Sequence, residues 1–171
     1  IDGVTVHCSA HSTFNGDLVL IQEKVDGGLY LLIGDFTGHG LASSIGSVPI
    51  AQAFYTLAER NTAVGIMARE LNRILHRFLP PSMFCAMTLL ELNAARTLLE
   101  VWTGGLPDAL VIGADGHLKR RLASNHMPLG ILENHEFEAF CEKVELSEGD
   151  RILLHTDGVN EASDPQGQLF G

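Results

Sequence analysis

The stretch LYLLIGDFTGHGLASSIG, residues 29–46, passes from a strand pattern to a helix pattern through a glycine-rich corner. An apolar run ends at Asp35, two glycines then flank His39, and small apolar residues follow from Leu41 onward. The change of periodicity predicts that a buried strand ends at Asp35 and that a helix begins near Leu41. The function of this corner therefore depends on what a carboxylate does beside flexible backbone at the end of a strand.

Three kinds of site use glycines between a strand and a helix. A P-loop requires Lys and then Ser or Thr after its last glycine, whereas Leu41 and Ala42 follow Gly40. A dinucleotide-binding fingerprint requires a second strand that ends in an acidic residue about 20 residues later. The corresponding segment, QAFYTLAERN, has a helical pattern. A metal site fits better, because a carboxylate and a neighbouring carbonyl offer oxygen ligands to a hard cation.

Two further aspartates occupy similar positions. The segment NGDLVL places Asp17 at the start of a strand that the VDGG turn pairs with the strand ending at Asp35. Antiparallel pairing puts Asp17 and Asp35 on one rim of the sheet. The segment RILLHTDGVNEA places Asp157 at the end of another apolar strand. Three such carboxylates would repel one another without a cation. The alternative is that each one only accepts turn or cap hydrogen bonds.

The remaining pattern predicts two helices followed by a run of strands. The first helix covers residues 41–60, with Pro49 as a kink or break. The second covers residues 62–79, with Thr62 as its cap. Its apolar stripe contains Ile66, Leu71, Ile74, Leu75 and Phe78. Strands are predicted at residues 4–11, 83–93, 96–104, 109–113, 117–122, 137–146 and 150–158. This order predicts an α+β fold of antiparallel sheets with helices packed outside.

The composition narrows the class of protein. Eleven Lys and Arg residues against 21 Asp and Glu residues give a formal net charge of −10, which argues against a general nucleic-acid binder. Neither a membrane-spanning apolar run nor a signal-peptide pattern is present. The three cysteines are widely spaced in apolar contexts, as reduced thiols are. We therefore expect a cytoplasmic location, without nucleic-acid or membrane partners.

The segments NGD, GDFTGHG and HTDGVNEA, in this order, resemble the SpoIIE/RsbU-type bacterial branch of the metal-dependent type 2C (PPM) serine/threonine protein phosphatases. Residues 83–122 resemble the middle hairpins of that family, and MPLGI resembles its short Leu-Gly segment. The resemblance implies two antiparallel sheets packed as a sandwich and flanked by helices, an α-β-β-α arrangement. It also implies that residues 1–171 form a single phosphatase-type domain.

The same resemblance implies a site for two Mg²⁺ or Mn²⁺ ions. Asp35 would bridge both ions, and the backbone carbonyl of Phe36 would bind one of them. Asp17 and Asp157 would serve the other ion, directly or through water. His39 would donate a proton to the leaving serine oxygen or would orient its loop.

The resemblance further implies what the domain acts on. The substrate would be a phosphoserine or phosphothreonine on a bacterial signalling protein of the anti-sigma-factor antagonist type. The domain would be the output of a receiver or sensor domain. We expect the chain to be a fragment, with Glu161 holding an outer-shell water and a further metal-binding aspartate beyond Gly171. The alternative is a non-catalytic adaptor of the same fold that binds a sigma factor or its regulators, because fold does not fix function.

Overall fold

The computed structural model describes residues 3–7, 16–37 and 41–160, and the side chains of all of these except 41–45. The chain forms two antiparallel sheets and two long helices. In chain order the elements are β1 (Asp17–Glu23), β2 (Leu29–Phe36), α1 (Leu41–Glu59), α2 (Val64–Phe78), β3 (Cys85–Leu92), β4 (Leu98–Gly104), β5 (Ala109–Ile112), β6 (Leu118–Leu122), β7 (Glu142–Glu145), β8 (Arg151–Leu153) and α3 (Asp157–Asn160). One sheet has the order β1-β2-β3-β4-β7, and the other has the order β6-β5-β8.

The five-stranded sheet separates two hydrophobic cores, because alternate residues of each strand face opposite sides. On β2, Tyr30, Leu32 and Phe36 belong to the core shared with α1 and α2. Leu29 and Leu31 belong to the core shared with the three-stranded sheet. The layer order is therefore helices, five-stranded sheet, three-stranded sheet. The predicted α+β fold with two antiparallel sheets is confirmed.

Helices α1 and α2 cover the same face of the five-stranded sheet. Helix α1 approaches closely because Gly46 has no side chain, and a Cβ there would lie 2.4 Å from the Phe36 ring. Within the described ranges, no other helix is longer than the four residues of α3. In that part of the chain, no helix is both long enough and apolar enough to span a bilayer.

Several local predictions about the helices were wrong. Helix α1 continues through Pro49, so the predicted break is absent. Helix α2 begins after Ala63 rather than at Thr62, and no side chain caps it. The predicted apolar stripe of α2 is only partly buried, since Ile66 is 58% exposed and Phe78 is 62% exposed. The buried face instead includes Val64, Gly65, Met67, Ala68, Leu71, Asn72 and Leu75.

The strand predictions were accurate for β1–β6 and less so near the ends of the chain. Residues 4–7 form no strand, and residues 8–11 lie outside the described part. Strand β7 covers only Glu142–Glu145, because the preceding residues follow an irregular path. Strand β8 ends at Leu153, so Asp157 begins the helical turn α3 instead of ending a strand.

Candidate metal centre

Asp17 and Asp35 lie directly opposite each other as the last pair of the β1–β2 ladder. Opposed residues of an antiparallel pair project from the same face of the sheet, with their Cβ atoms about 5 Å apart. Both aspartates are half-buried. Like charges in this arrangement repel, and partial burial strengthens the repulsion. The predicted pairing of these two carboxylates on one rim is confirmed.

The face that carries the two aspartates follows from the alternation of β2. Phe36 is buried against the helices, so the preceding residue, Asp35, projects toward the side of the three-stranded sheet. Leu20 of β1 also faces the helices, which puts Asp17 on the same side as Asp35. Both aspartates therefore lie at one end of the β1–β2 ladder, on the face of the sheet that is turned away from the helices.

The backbone at Gly16 approaches this pair closely. The amide of Phe36 donates a 3.2 Å hydrogen bond to the Gly16 carbonyl, which holds the backbones together. A Cβ built on Gly16 would lie 2.7 Å from the Phe36 carbonyl oxygen and 3.0 Å from Asp35 Oδ1. Only a glycine therefore fits beside these two oxygens. A carboxylate and a carbonyl oxygen in this proximity are a donor set that suits a hard divalent cation.

The neighbouring cysteine is buried. Cys85 begins β3 opposite Phe36. Burial, together with the negative charge of Asp35, raises the pKa of the Cys85 thiol. Burial likewise raises the pKa of Cys141 to about 12. Both thiols are therefore protonated at neutral pH, which argues against a role as nucleophiles.

The strand registers bring the end of β8 to the same end of the sandwich. Strand β4 ends at Gly104, and four residues lead from there to the start of β5 at Ala109. Leu110 of β5 pairs with Leu153, the last residue of β8. Asp157 follows β8 as the exposed first residue of α3. The topology thus directs Asp157 toward the rim that carries Asp35.

The structure does not gather the three predicted aspartates into one cluster. Among residues 3–7, 16–37 and 41–160, no three His, Cys, Asp or Glu side chains form a group that could hold a metal ion. His39 and Glu161 lie outside the described residues, so the structure says nothing of their predicted roles. The set of metal ligands stays a prediction, of which the pair at the end of the β1–β2 ladder is the structurally defined part.

Sequence reasoning missed the part played by Gly16. The NGD segment predicts a role for its aspartate and none for the glycine that precedes it. Gly16 matters because it lies close to Phe36, which comes some 20 residues later in the chain. No local pattern reveals that contact. The sequence signal that could have identified Gly16 is that a glycine directly precedes an aspartate in each of the two predicted hairpin strands.

Comparison with known proteins gives two curated relatives from Bacillus subtilis (strain 168). The chain is 28% identical over 159 residues to the phosphoserine phosphatase RsbP, covering 88% of this chain and 38% of the relative. It is 24% identical over 139 residues to the phosphoserine phosphatase RsbU, covering 81% of this chain and 41% of the relative. The chain therefore spans about two-fifths of the length of the curated relatives that it matches.

Solved structures share the fold. The RsbU and RsbW domains of Rv1364c from Mycobacterium tuberculosis match with a TM-score of 0.74 and 23% identity, covering 90% of this chain and 42% of that one. The catalytic domain of the serine/threonine protein phosphatase PstP, in complex with two manganese ions, matches with a TM-score of 0.67 and 17% identity, covering 92% of this chain and 77% of that one. At these identities the matches establish the fold.

The family follows from the sequence itself. The model of the family described as stage II sporulation protein E (SpoIIE) matches residues 25–171, which include Asp35, Phe36 and Asp157. This match covers most of the chain and agrees with the two relatives and with the shared fold. The chain belongs to the SpoIIE family.

Proposed function

We propose that residues 1–171 form a metal-dependent serine/threonine protein phosphatase domain that hydrolyses phosphoserine or phosphothreonine. The observation that carries the proposal is the direct pairing of Asp17 with Asp35, with the Phe36 carbonyl oxygen and Asp35 Oδ1 both beside Gly16. Two curated relatives are phosphoserine phosphatases, which supports the same reaction class. The raised thiol pKa values argue against a cysteine nucleophile among the described residues.

The proposed ligands are oxygen atoms. Asp35 and the backbone carbonyl of Phe36 would hold one cation, and Asp35 would share the second with Asp17 and Asp157. Mg²⁺ or Mn²⁺ fits such a set, and the PstP structure contains two manganese ions. When bound, two cations activate water and neutralise the charge that develops on the transferring phosphoryl group.

The chain's own residues would divide the remaining work. The half-buried carboxylates would fix the cations at the rim, and the lack of a side chain at Gly16 would leave the Phe36 carbonyl and the Asp35 carboxylate in place. We also propose His39 as the donor of a proton to the leaving serine oxygen, on the basis of its position four residues after Asp35. This proton would otherwise have to come from solvent.

The proposed substrate is a phosphorylated signalling protein of the anti-sigma-factor antagonist type. The likeness to RsbP and RsbU, and to a structure that contains both an RsbU and an RsbW domain, supports a place in such signalling. We propose an upstream receiver or sensor domain as the source of control. The unpaired thiols Cys85 and Cys141 are consistent with a cytoplasmic location.

The experiment is a phosphatase assay of the full-length protein after removal of metal. Phosphoserine peptides should be hydrolysed when Mn²⁺ or Mg²⁺ is restored, and Asp17→Asn and Asp35→Asn should each abolish this activity. Binding of a regulatory protein without any hydrolysis, in the presence of either ion, would favour the adaptor alternative and overturn the proposal.

A further inference from the structure

A long irregular segment joins helix α2 to the end of the sandwich that carries Asp35. We name residues 123–141, between β6 and β7, the β6–β7 connection. Within the described residues, its backbone pairs with the sheet only through single bridges at His126 and Leu129. An irregular segment of this length is held in place by side chains, because it lacks a ladder of its own.

Helix α2 supplies those side chains from one polar stripe. Arg69, Asn72 and His76 are spaced three and four residues apart, so they lie on the same face of the helix. Arg69 donates a 3.3 Å hydrogen bond to the carbonyl of Asn134 in the connection. The Nδ1 atom of His76 lies 3.2 Å from the carbonyl oxygen of Gly130. The connection therefore follows the helix along two turns.

Asn72 makes the central contact of this stripe. Its side chain is fully buried and satisfies a donor and an acceptor of the connection at once. The Nδ2 atom donates to the Leu132 carbonyl at 3.0 Å, and the Oδ1 atom accepts from the Gly130 amide at 2.9 Å. A fully buried amide that uses both its donor and its acceptor fixes the geometry of its partners.

From Gly130 the connection passes directly to the strand that supports the predicted ligands. Leu129 and Cys85 exchange two backbone hydrogen bonds, each 2.9 Å long. Cys85 is the cross-strand partner of Phe36 in the β2–β3 ladder, and the next residue, Ala86, is the partner of Asp35. Hydrogen bonds and the intervening backbone thus connect α2 to the start of β3, which pairs with the end of β2.

We infer that Asn72 is a positioning residue for the predicted metal centre, acting through Leu129 and Cys85 on the end of β2. The part of this inference that Mn²⁺ affinity tests rests on the proposed function. Asp35 and Phe36 are the last residues of β2, where β3 supports them on one side and β1 with Gly16 supports them on the other. The bridge at Leu129 extends the pairing of β3 past that end, and Asn72 holds the bridge in register.

Asn93 provides the control, because it is an asparagine that supports β3 away from the predicted metal centre. It lies at the other end of β3, and its Oδ1 atom accepts the amides of Thr97 and Leu98 at 2.8 and 3.1 Å. Asn72→Asp and Asn93→Asp each replace one amide nitrogen with oxygen while keeping the acceptor. In the full-length protein, Asn72→Asp should raise the Kd for Mn²⁺ about tenfold, the low end of what loss of an outer-shell partner costs a metal site. Asn93→Asp should leave it within about twofold.

Amide hydrogen exchange in the metal-free proteins separates this inference from the proposed function. Asn72→Asp should speed exchange at the amides of Cys85 and Phe36 more than Asn93→Asp does, whether or not metal binds. If wild-type protein neither binds Mn²⁺ nor hydrolyses phosphoserine peptides, the proposed function fails while this exchange comparison still decides the positioning role. Equal Mn²⁺ affinity and equal exchange in the two variants would overturn the inference.

A wild-type measurement covers the case in which Asn72→Asp does not fold. Coupling between two sites is reciprocal, so if Asn72 supports metal binding, bound Mn²⁺ must support the contacts of Asn72. Adding Mn²⁺ should therefore slow exchange at the Gly130 amide, whose acceptor is Asn72, and leave the Thr97 amide unchanged. No change at Gly130 in the Mn²⁺-loaded protein would overturn the inference.

Discussion

Asp17 stands directly across from Asp35 at the end of the β1–β2 ladder, so the hairpin places two carboxylates on one face of the sheet. Like charges directly opposite each other are destabilising, and a bound cation would relieve their repulsion. A Cβ on the neighbouring Gly16 would lie 2.7 Å from the Phe36 carbonyl oxygen and 3.0 Å from Asp35 Oδ1. Two opposed carboxylates with a carbonyl oxygen close by are the donor set expected of a site for a hard cation.

The first prediction concerns Asp35→Asn in the full-length protein. We expect kcat/KM to fall at least about a hundredfold, equivalent to ~2.7 kcal/mol of transition-state stabilisation. The metal-free protein should keep or gain stability, since the change removes one of two opposed charges. Steady-state kinetics and urea unfolding measure the two effects.

Asp115→Asn is the control for this change. Asp115 lies in the β5–β6 turn at the opposite end of the sandwich, where its Oδ1 atom accepts the His117 amide. Asparagine keeps that acceptor, so activity should stay at the wild-type level. Activity of Asp35→Asn within about tenfold of wild type would contradict the proposed role of Asp35.

The second prediction uses Gly16→Ala. The new Cβ would lie 2.7 Å from the Phe36 carbonyl oxygen, so the backbone at the end of β2 must shift. We expect calorimetric Mn²⁺ affinity to fall about tenfold or more, as it does when the support of a metal ligand is disturbed. Gly28→Ala is the control, because its Cβ would lie at the same 2.7 Å from a backbone oxygen, that of Leu92, but at the other end of the hairpin. If both variants bind Mn²⁺ equally well, the Phe36 carbonyl beside Gly16 is not a metal ligand.

What the sequence predicted correctly depended on short-range signals. The VDGG turn fixes the β1–β2 register, and that register determines which residue faces Asp35. The exposure of Ile66 and Phe78 on α2 was not predictable in this way, since periodicity does not show which stripe a sheet covers. The role of Asn72 depends on contacts nearly 60 residues away, which leave no local pattern.

The third prediction concerns the choice of metal. Carboxylate and carbonyl oxygens favour Mg²⁺ and Mn²⁺, whereas zinc prefers histidine and thiolate ligands. In the described part of the chain, the cysteine nearest the site is Cys85, whose buried thiol has a raised pKa and stays protonated. Metal-stripped full-length protein should regain activity with Mn²⁺ or Mg²⁺. Recovery with zinc alone would mean that other ligands form the site.

The last prediction is a pH dependence of stability that comes from Tyr30. Burial raises the pKa of Tyr30 to about 12, and its hydroxyl donates a 3.0 Å hydrogen bond to the Thr62 carbonyl. In the unfolded chain a tyrosine ionises near pH 10, so between about pH 10 and 12 the unfolded state binds fewer protons than the folded state. The free energy of unfolding must therefore fall as the pH rises through this range.

Tyr30→Phe should reduce the steepness of that fall, because phenylalanine cannot ionise in either state. At pH 8 the same variant should lose about 1 kcal/mol through the missing hydrogen bond. The buried thiols Cys85 and Cys141 also have raised pKa values, so a smaller fall should remain in the variant. Tyr55→Phe is the control for the loss of one tyrosine, since Tyr55 is 38% exposed. Urea unfolding of all three proteins from pH 8 to 11.5 measures how steeply the free energy of unfolding falls with pH. Equal slopes for the two variants would show that Tyr30 releases its proton as readily in the folded chain as in the unfolded one.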